Sequence, residues 1–226
     1  MVQQESLVRI PAAGVVLEAD VQVPEAPPDQ VPSGVLPGLV LFAHGSGSSR
    51  GSPRNRMVAA RLRAEGFATI LADLLTPGEE LVDERTARLR FDIGLLAGRL
   101  AGILDWVREQ ETLARLPVGM FGASTGAGAA LVAAARRPDA VRAVVSRGGR
   151  PDLAGPALAE VQAPTLLIVG SLDATVLDLN ERAGRELPAP WELRTIPGAT
   201  HLFPEAGALE QVAAWAGEWF AKHLPG

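Results

Sequence analysis

Two stretches of this chain, Gly38–Ala43 (GLVLFA) and Pro164–Val169 (PTLLIV), are short apolar runs with almost no alternation. A strand with one wet face alternates apolar and polar side chains. A run of this kind suits a strand buried on both faces. Strands buried on both faces are interior strands of a largely parallel sheet, which needs a helical layer on each side. The remaining segments follow that rule. Leu7–Ile10 and Gly14–Val23 read as an opening pair of strands, and Phe67–Leu71, Pro117–Phe121, Ala140–Ser146 and Trp191–Ile196 as further strands. Helices are expected over Pro53–Glu65, from about Glu84 to Gln110, and over Ser124–Arg137, Leu177–Leu187 and Ala208–Leu224. Pro24–Pro37 reads as a surface connection and Asp73–Asp83 as a loop. The expected fold is α/β: a mostly parallel twisted sheet of about eight strands, helices on both faces, one domain over residues 1–226.

Composition narrows the function classes. The 226 residues are 47% hydrophobic and 21% charged, which is ordinary for a globular protein. A net charge of −5 leaves no electrostatic footprint for a phosphate backbone, so nucleic acid is excluded as a partner. The absence of Cys excludes disulfides, thiolate metal sites and a Cys nucleophile. The N-terminus has neither a basic nor an apolar targeting region. The longest small and aliphatic stretch, Gly126–Ala135, is too short to span a bilayer. A cytoplasmic location and no membrane partner follow as default expectations.

Gly122-Ala123-Ser124-Thr125-Gly126 fits G-x-S-x-G and sits between an apolar strand and a helix of small residues. That placement is what a nucleophile elbow requires: a tight turn, small neighbours, and a helix N-terminus facing developing negative charge. Serine needs a base within reach, and the base needs a third group to fix its tautomer. His201 is the candidate base, because His44 adjoins a Gly/Ser loop where a structural hydrogen bond is expected and His223 lies near the end of the last helix. Asp173, directly after the strand Pro164–Val169, is the candidate acid, with Asp152 and Asp178 as rivals. An oxyanion hole needs two backbone N–H donors, for which Thr125 and Ser46 are the candidates.

Together, His44-Gly45-Ser46-Gly47, the elbow, Gly170-Ser171-Leu172-Asp173 and Ala199-Thr200-His201 resemble the α/β-hydrolase superfamily, in its chain order Ser…Asp…His. The small, capless, dienelactone-hydrolase-like branch is the most similar. The name-giving enzymes of that branch use a Cys nucleophile where this chain has Ser124. The resemblance therefore implies general ester hydrolysis through an acyl-enzyme, a carboxylesterase with no cofactor or metal. A thioesterase, an acyltransferase and a non-catalytic binding module on the same fold stay open as alternatives.

The interval Arg147–Ala163 is 17 residues and cannot form a cap domain. An open site offers little binding energy for discrimination, so small or short-acyl ester substrates are expected. Arg50, Arg54, Arg147 and Arg150 lie in or near loops that follow strands. Arg54 and Arg147 are candidates for holding a substrate carboxylate. The closing helix, with Trp215, Trp219 and Phe220, either covers its own core or meets a second copy, which leaves a homodimer open.

Overall fold

The computed structural model describes residues 6–24 and 37–225. Apart from its end residues, the expected connection Pro24–Pro37 lies outside the described residues. The chain opens with a hairpin, β1 (Ser6–Ala12) and β2 (Val15–Gln22). Ala13 and Gly14 make its two-residue turn with φ of 47° and 81°, the left-handed pair that matches strand twist. Strand–helix alternation follows: β3 (Leu39–Ala43), α1 (Pro53–Ala64), β4 (Ala68–Ala72), α2 (Pro77–Thr86), α3 (Ile93–Glu109), β5 (Val118–Ala123) and α4 (Thr125–Arg136). The chain continues through β6 (Val141–Arg147), β7 (Thr165–Gly170), α5 (Ala174–Glu186), β8 (Trp191–Ile196) and α6 (Ala208–His223).

The eight strands form one sheet in the order β1-β2-β4-β3-β5-β6-β7-β8. The β1–β2 and β2–β4 pairs are antiparallel and all others parallel. Side chains divide between two apolar layers with the strand period of two. Leu39, Leu41 and Ala43 face the layer of α3 and α4, whereas Val40 and Phe42 face that of α1 and α6. Trp219 and Phe220 of α6 are 2% and 0% exposed in the second layer, so this helix covers its own core, and Trp215 packs partly buried against the same layer.

One stretch departs from expectation. The expected loop Asp73–Asp83 contains most of α2, and the long helix begins at Ile93 rather than near Glu84. A capping box starts α2: Thr76 Oγ1 accepts from the Glu79 N–H and Glu79 Oε2 from the Thr76 N–H. Ala87 in the left-handed region (φ 52°) ends it. A 3-10 turn over Leu89–Phe91 and an Asp92 cap on the Leu95 N–H then start α3. The interval Arg147–Ala163 holds only a 3-10 segment, Pro151–Glu160, and no cap domain.

Candidate active site

A single residue, Ser124, reverses the chain between β5 and α4. It has φ 50° and ψ −123°, a region that costs a non-glycine residue about 1–3 kcal/mol. The surroundings enforce it. The Ser124 N–H donates to the Arg147 carbonyl at 3.3 Å, and the Ser124 carbonyl accepts from the Arg150 N–H at 3.0 Å. A Cβ on Gly122 would lie 2.4 Å from Ala127 Cα, and one on Gly126 2.3 Å from the Ala43 carbonyl oxygen. Both obstacles are backbone, so neither glycine admits a side chain at this elbow. Ser124 holds the N-cap position of α4, yet its hydroxyl caps nothing.

The loop after β3 lies against the elbow, since a Cβ on Gly45 would sit 3.1 Å from Ser124 Cβ. His44 supports the loop as expected. Its Nδ1 is 3.0 Å from the Gly45 carbonyl, and its Nε2 is 3.2 Å from the Leu74 amide nitrogen. That environment fixes the tautomer with the proton on Nδ1. Burial holds His44 below the ordinary imidazole value, so the ring is neutral. The Ser46 N–H differs from expectation: it donates to Thr125 Oγ1 at 2.8 Å rather than standing open. The Thr125 N–H heads α4, where no preceding turn supplies an acceptor.

Asp173 and His201 come from adjacent strand ends, β7 and β8. A Cβ on Gly170 would lie 2.3 Å from the Ala199 carbonyl oxygen, which shows how closely the two loops approach. The N–H groups of Ser171 and Leu172 donate to the carbonyls of Ile196 and Ala199, each at 3.0 Å. Asp173 occupies the N-cap of α5 without capping it. Its Oδ2 lies 2.6 Å from His201 Nδ1 instead. The rivals are engaged elsewhere: Asp152 takes a two-pronged bond from Arg150 at 2.8 and 2.7 Å, and Asp178 pairs with Arg182 on the surface. Sequence reasoning missed Glu205, whose Oε1 accepts from Thr200 N–H (3.0 Å) and Oγ1 (2.6 Å) and so secures the turn that carries His201. A Glu four residues past a His is too common a pattern to draw notice.

No hydrogen bond joins Ser124 and His201. The end of β6 touches both. Arg147 binds the Ser124 N–H through its carbonyl, and a Cβ on Gly148 would lie 3.6 Å from His201 Nδ1. The arginines separate into two pairs. Arg50 reaches Asp73, Asp20 and Glu18 at 3.0, 3.2 and 2.9 Å, and Arg150 is held by Asp152. Arg147 is the last residue of β6, beside the loop that follows it, and is only 6% exposed. Its guanidinium lies 5.9 Å from the Phe203 ring centroid. Burial first, and then Arg54, bring Arg147 down to about 10, still charged at neutral pH.

Beside the loop after β3 is a cleft of about 400 Å³, walled by Ser46, Leu75, Glu80, Asp83, Arg90 and Leu96. Burial, reinforced by Asp73, Glu84 and Asp83, raises the Glu80 carboxyl above its ordinary value. Asp83 pins the far wall by accepting from the N–H groups of Leu89 (2.7 Å) and Arg90 (3.1 Å). Leu81 and Phe91 in the same stretch are 61% and 55% exposed. Among the described residues no three His, Asp or Glu side chains gather as a metal site. No helix among them is long and apolar enough to cross a membrane.

The elbow, the Asp–His pair and the sheet order define the class, and comparison with known proteins agrees. The model of the alpha/beta hydrolase fold family matches residues 38–189, and the chain belongs to that family. It is 54% identical to the dienelactone hydrolase of Anabaena variabilis, with a TM-score of 0.92 over 98% of this chain and 99% of that one. A Mycobacterium tuberculosis protein named "Putative phosphoribosyl transferase" is 56% identical over 219 residues, 97% of this chain. The chain spans about half the length of that relative, 46%. A serine hydrolase without lid from Xanthomonas campestris shares the fold at 22% identity and a TM-score of 0.76, over 100% of this chain and 98% of that one.

Proposed function

We propose that this chain is a serine hydrolase that cleaves small carboxylic esters through an acyl-enzyme. The observation that carries the reading is the elbow: a serine held at φ 50° between β5 and α4, its hydroxyl spent on no cap, near a His201–Asp173 pair 2.6 Å apart. In this reading Ser124 Oγ attacks the ester carbonyl carbon, and His201 Nε2 takes the hydroxyl proton. Asp173 holds the opposite ring nitrogen and stabilises the imidazolium. The proton then passes to the departing alkoxide, which leaves as the alcohol. Water, deprotonated by the same ring, releases the acid and regenerates Ser124. The oxyanion is received by the N–H groups of Thr125 and Ser46, the second exchanging its bond to Thr125 Oγ1 for one to substrate. Attack requires Ser124 and His201 to close the contact they lack here, as catalytic hydrogen bonds often do when substrate arrives.

The relatives support hydrolysis over transfer. The 54%-identical structure is a dienelactone hydrolase, and the transferase name belongs to a protein about twice as long as this chain. With no cap domain over the strand ends, short acyl groups are the expected substrates. A fluorophosphonate probe should label the native protein and not Ser124→Ala. p-Nitrophenyl acetate and butyrate should be hydrolysed ahead of the palmitate ester, each at least 10³-fold faster by the native protein than by the variant, on the order of what an activated nucleophile contributes. A folded protein that takes no label would mean a binding module. Strong preference for palmitate would mean that the cleft closes around long chains.

A further inference from the structure

Arg54 and Arg147 stand out among the arginines near the site. Arg50 and Arg150 each close on carboxylates. No described carboxylate pairs with Arg54 or Arg147, and Nε of Arg54 and both Nε and Nη1 of Arg147 are buried without a hydrogen-bond partner. Arg147 is 6% exposed. A buried cation without a counter-charge is among the costlier arrangements in a protein interior, and it persists where something else supplies the charge. The local field points the same way. Arg54 lies in the first turn of α1, a twelve-residue helix with no acidic residue in that turn, so a cation sits at the positive end of the helix dipole. Arg147 shares the sheet face of Ala143 and Val145, the face covered by α1 and α6, and repels Arg54 through space. Its guanidinium meets the ring of Phe203, two residues beyond His201.

We propose that Arg54, Arg147 and the N-terminus of α1 form a binding site for an oxyanion, a carboxylate or phosphate group, beside the turn that carries His201. The guanidinium forks supply planar pairs of donors suited to such a group, and the unpartnered nitrogens are the positions it satisfies. The group is either part of the ester substrate or a free anion. If it is part of the substrate, the site specifies anionic esters, and this arm rests on the serine-hydrolase reading. If it is free, it neutralises the guanidinium pair next to the catalytic turn.

Thermal unfolding of the full chain is measured against sodium phosphate and sodium succinate, with sodium chloride at equal ionic strength as reference. A saturable rise in Tm with either oxyanion is expected. In Arg147→Met the rise should vanish, and Tm in chloride should match or exceed that of the native protein because a buried uncompensated charge is gone. Should that variant not fold, Arg54→Gln serves for the loss of the rise. No saturable rise in the native protein, or an undiminished rise in the variants, overturns the site. Ser124→Ala should show the same titration, so a failure of the hydrolase reading leaves this result readable. The source of the anion is read from p-nitrophenyl hemisuccinate and acetate. If the substrate brings the group, phosphate competes only with hemisuccinate, and the kcat/KM ratio of the two esters falls toward one in Arg147→Met. If the anion is free, phosphate changes both esters alike.

Discussion

Ser124 and Asp173 both stand at the N-cap of a helix, and both are residue types that cap well. Neither side chain does so. Each leaves aside a local bond commonly worth about 1 kcal/mol, and Ser124 adds backbone strain of about 1–3 kcal/mol. Asp173 is turned to His201 instead. The strain at Ser124 can be measured apart from its chemistry. Ser124→Ala keeps the unfavourable φ, whereas Ser124→Gly removes the Cβ that opposes it. Under the proposed function both variants are expected to lose ester hydrolysis. The glycine variant is expected to be the more stable of the two by about 1 kcal/mol, a Tm difference of about 2–4 °C by calorimetry. Equal Tm values would mean that the elbow stores no strain.

At the scale of elements, α2 shows how a short helix is fixed by few contacts. Glu79 caps it with one oxygen and meets Arg99 with the other at 2.7 Å. Arg99 is 3% exposed, and its remaining bonds go to the carbonyls of Ala12 and Ala13 at the hairpin turn. One carboxylate thus ties the cleft wall to α3 and to the start of the sheet. Glu79→Ala removes the cap and leaves Arg99 buried without its counter-charge. The expected cost is roughly 3–5 kcal/mol, read from the urea midpoint at unchanged m-value. A cost under about 1 kcal/mol would mean that water or another carboxylate replaces Glu79. The same stretch is where the sequence reading fell short. The pattern Thr76-Pro77-Gly78-Glu79 carries the capping-box signature, but Pro77-Gly78 also reads as a turn, and local signals alone do not choose between them. The choice is made by Arg99, twenty residues on.

At the scale of the whole molecule, stability is expected to depend on pH through the buried His44 and the half-buried His223. Burial holds His44 below its ordinary 6.5, and burial with Lys222 nearby lowers His223 in the same direction. Between the folded value and 6.5 the unfolded chain binds protons that the folded one refuses. This contribution is therefore complete above 6.5 and is lost as pH falls below it. Tm should decline from about pH 7 to about pH 5, and less steeply in His44→Gln. An unchanged slope in that variant would remove His44 from the account.

The sequence by itself determined the strands, their burial, the elbow and the order Ser124…Asp173…His201. Those features are written in local pattern: apolar runs of strand length, small residues flanking a turn, and polar residues at strand ends. Only the tertiary structure showed the contact itself, Asp173 against His201, and that the rivals Asp152 and Asp178, less favoured by their places in the sequence, are occupied by Arg150 and Arg182. It also decided that the Ser46 N–H rests on Thr125 Oγ1, and that among four similar arginines two are neutralised and two are not. Pairing of charges and donors depends on which side chains meet across the sheet. That distance is set by strand order and register, which no single stretch of chain encodes.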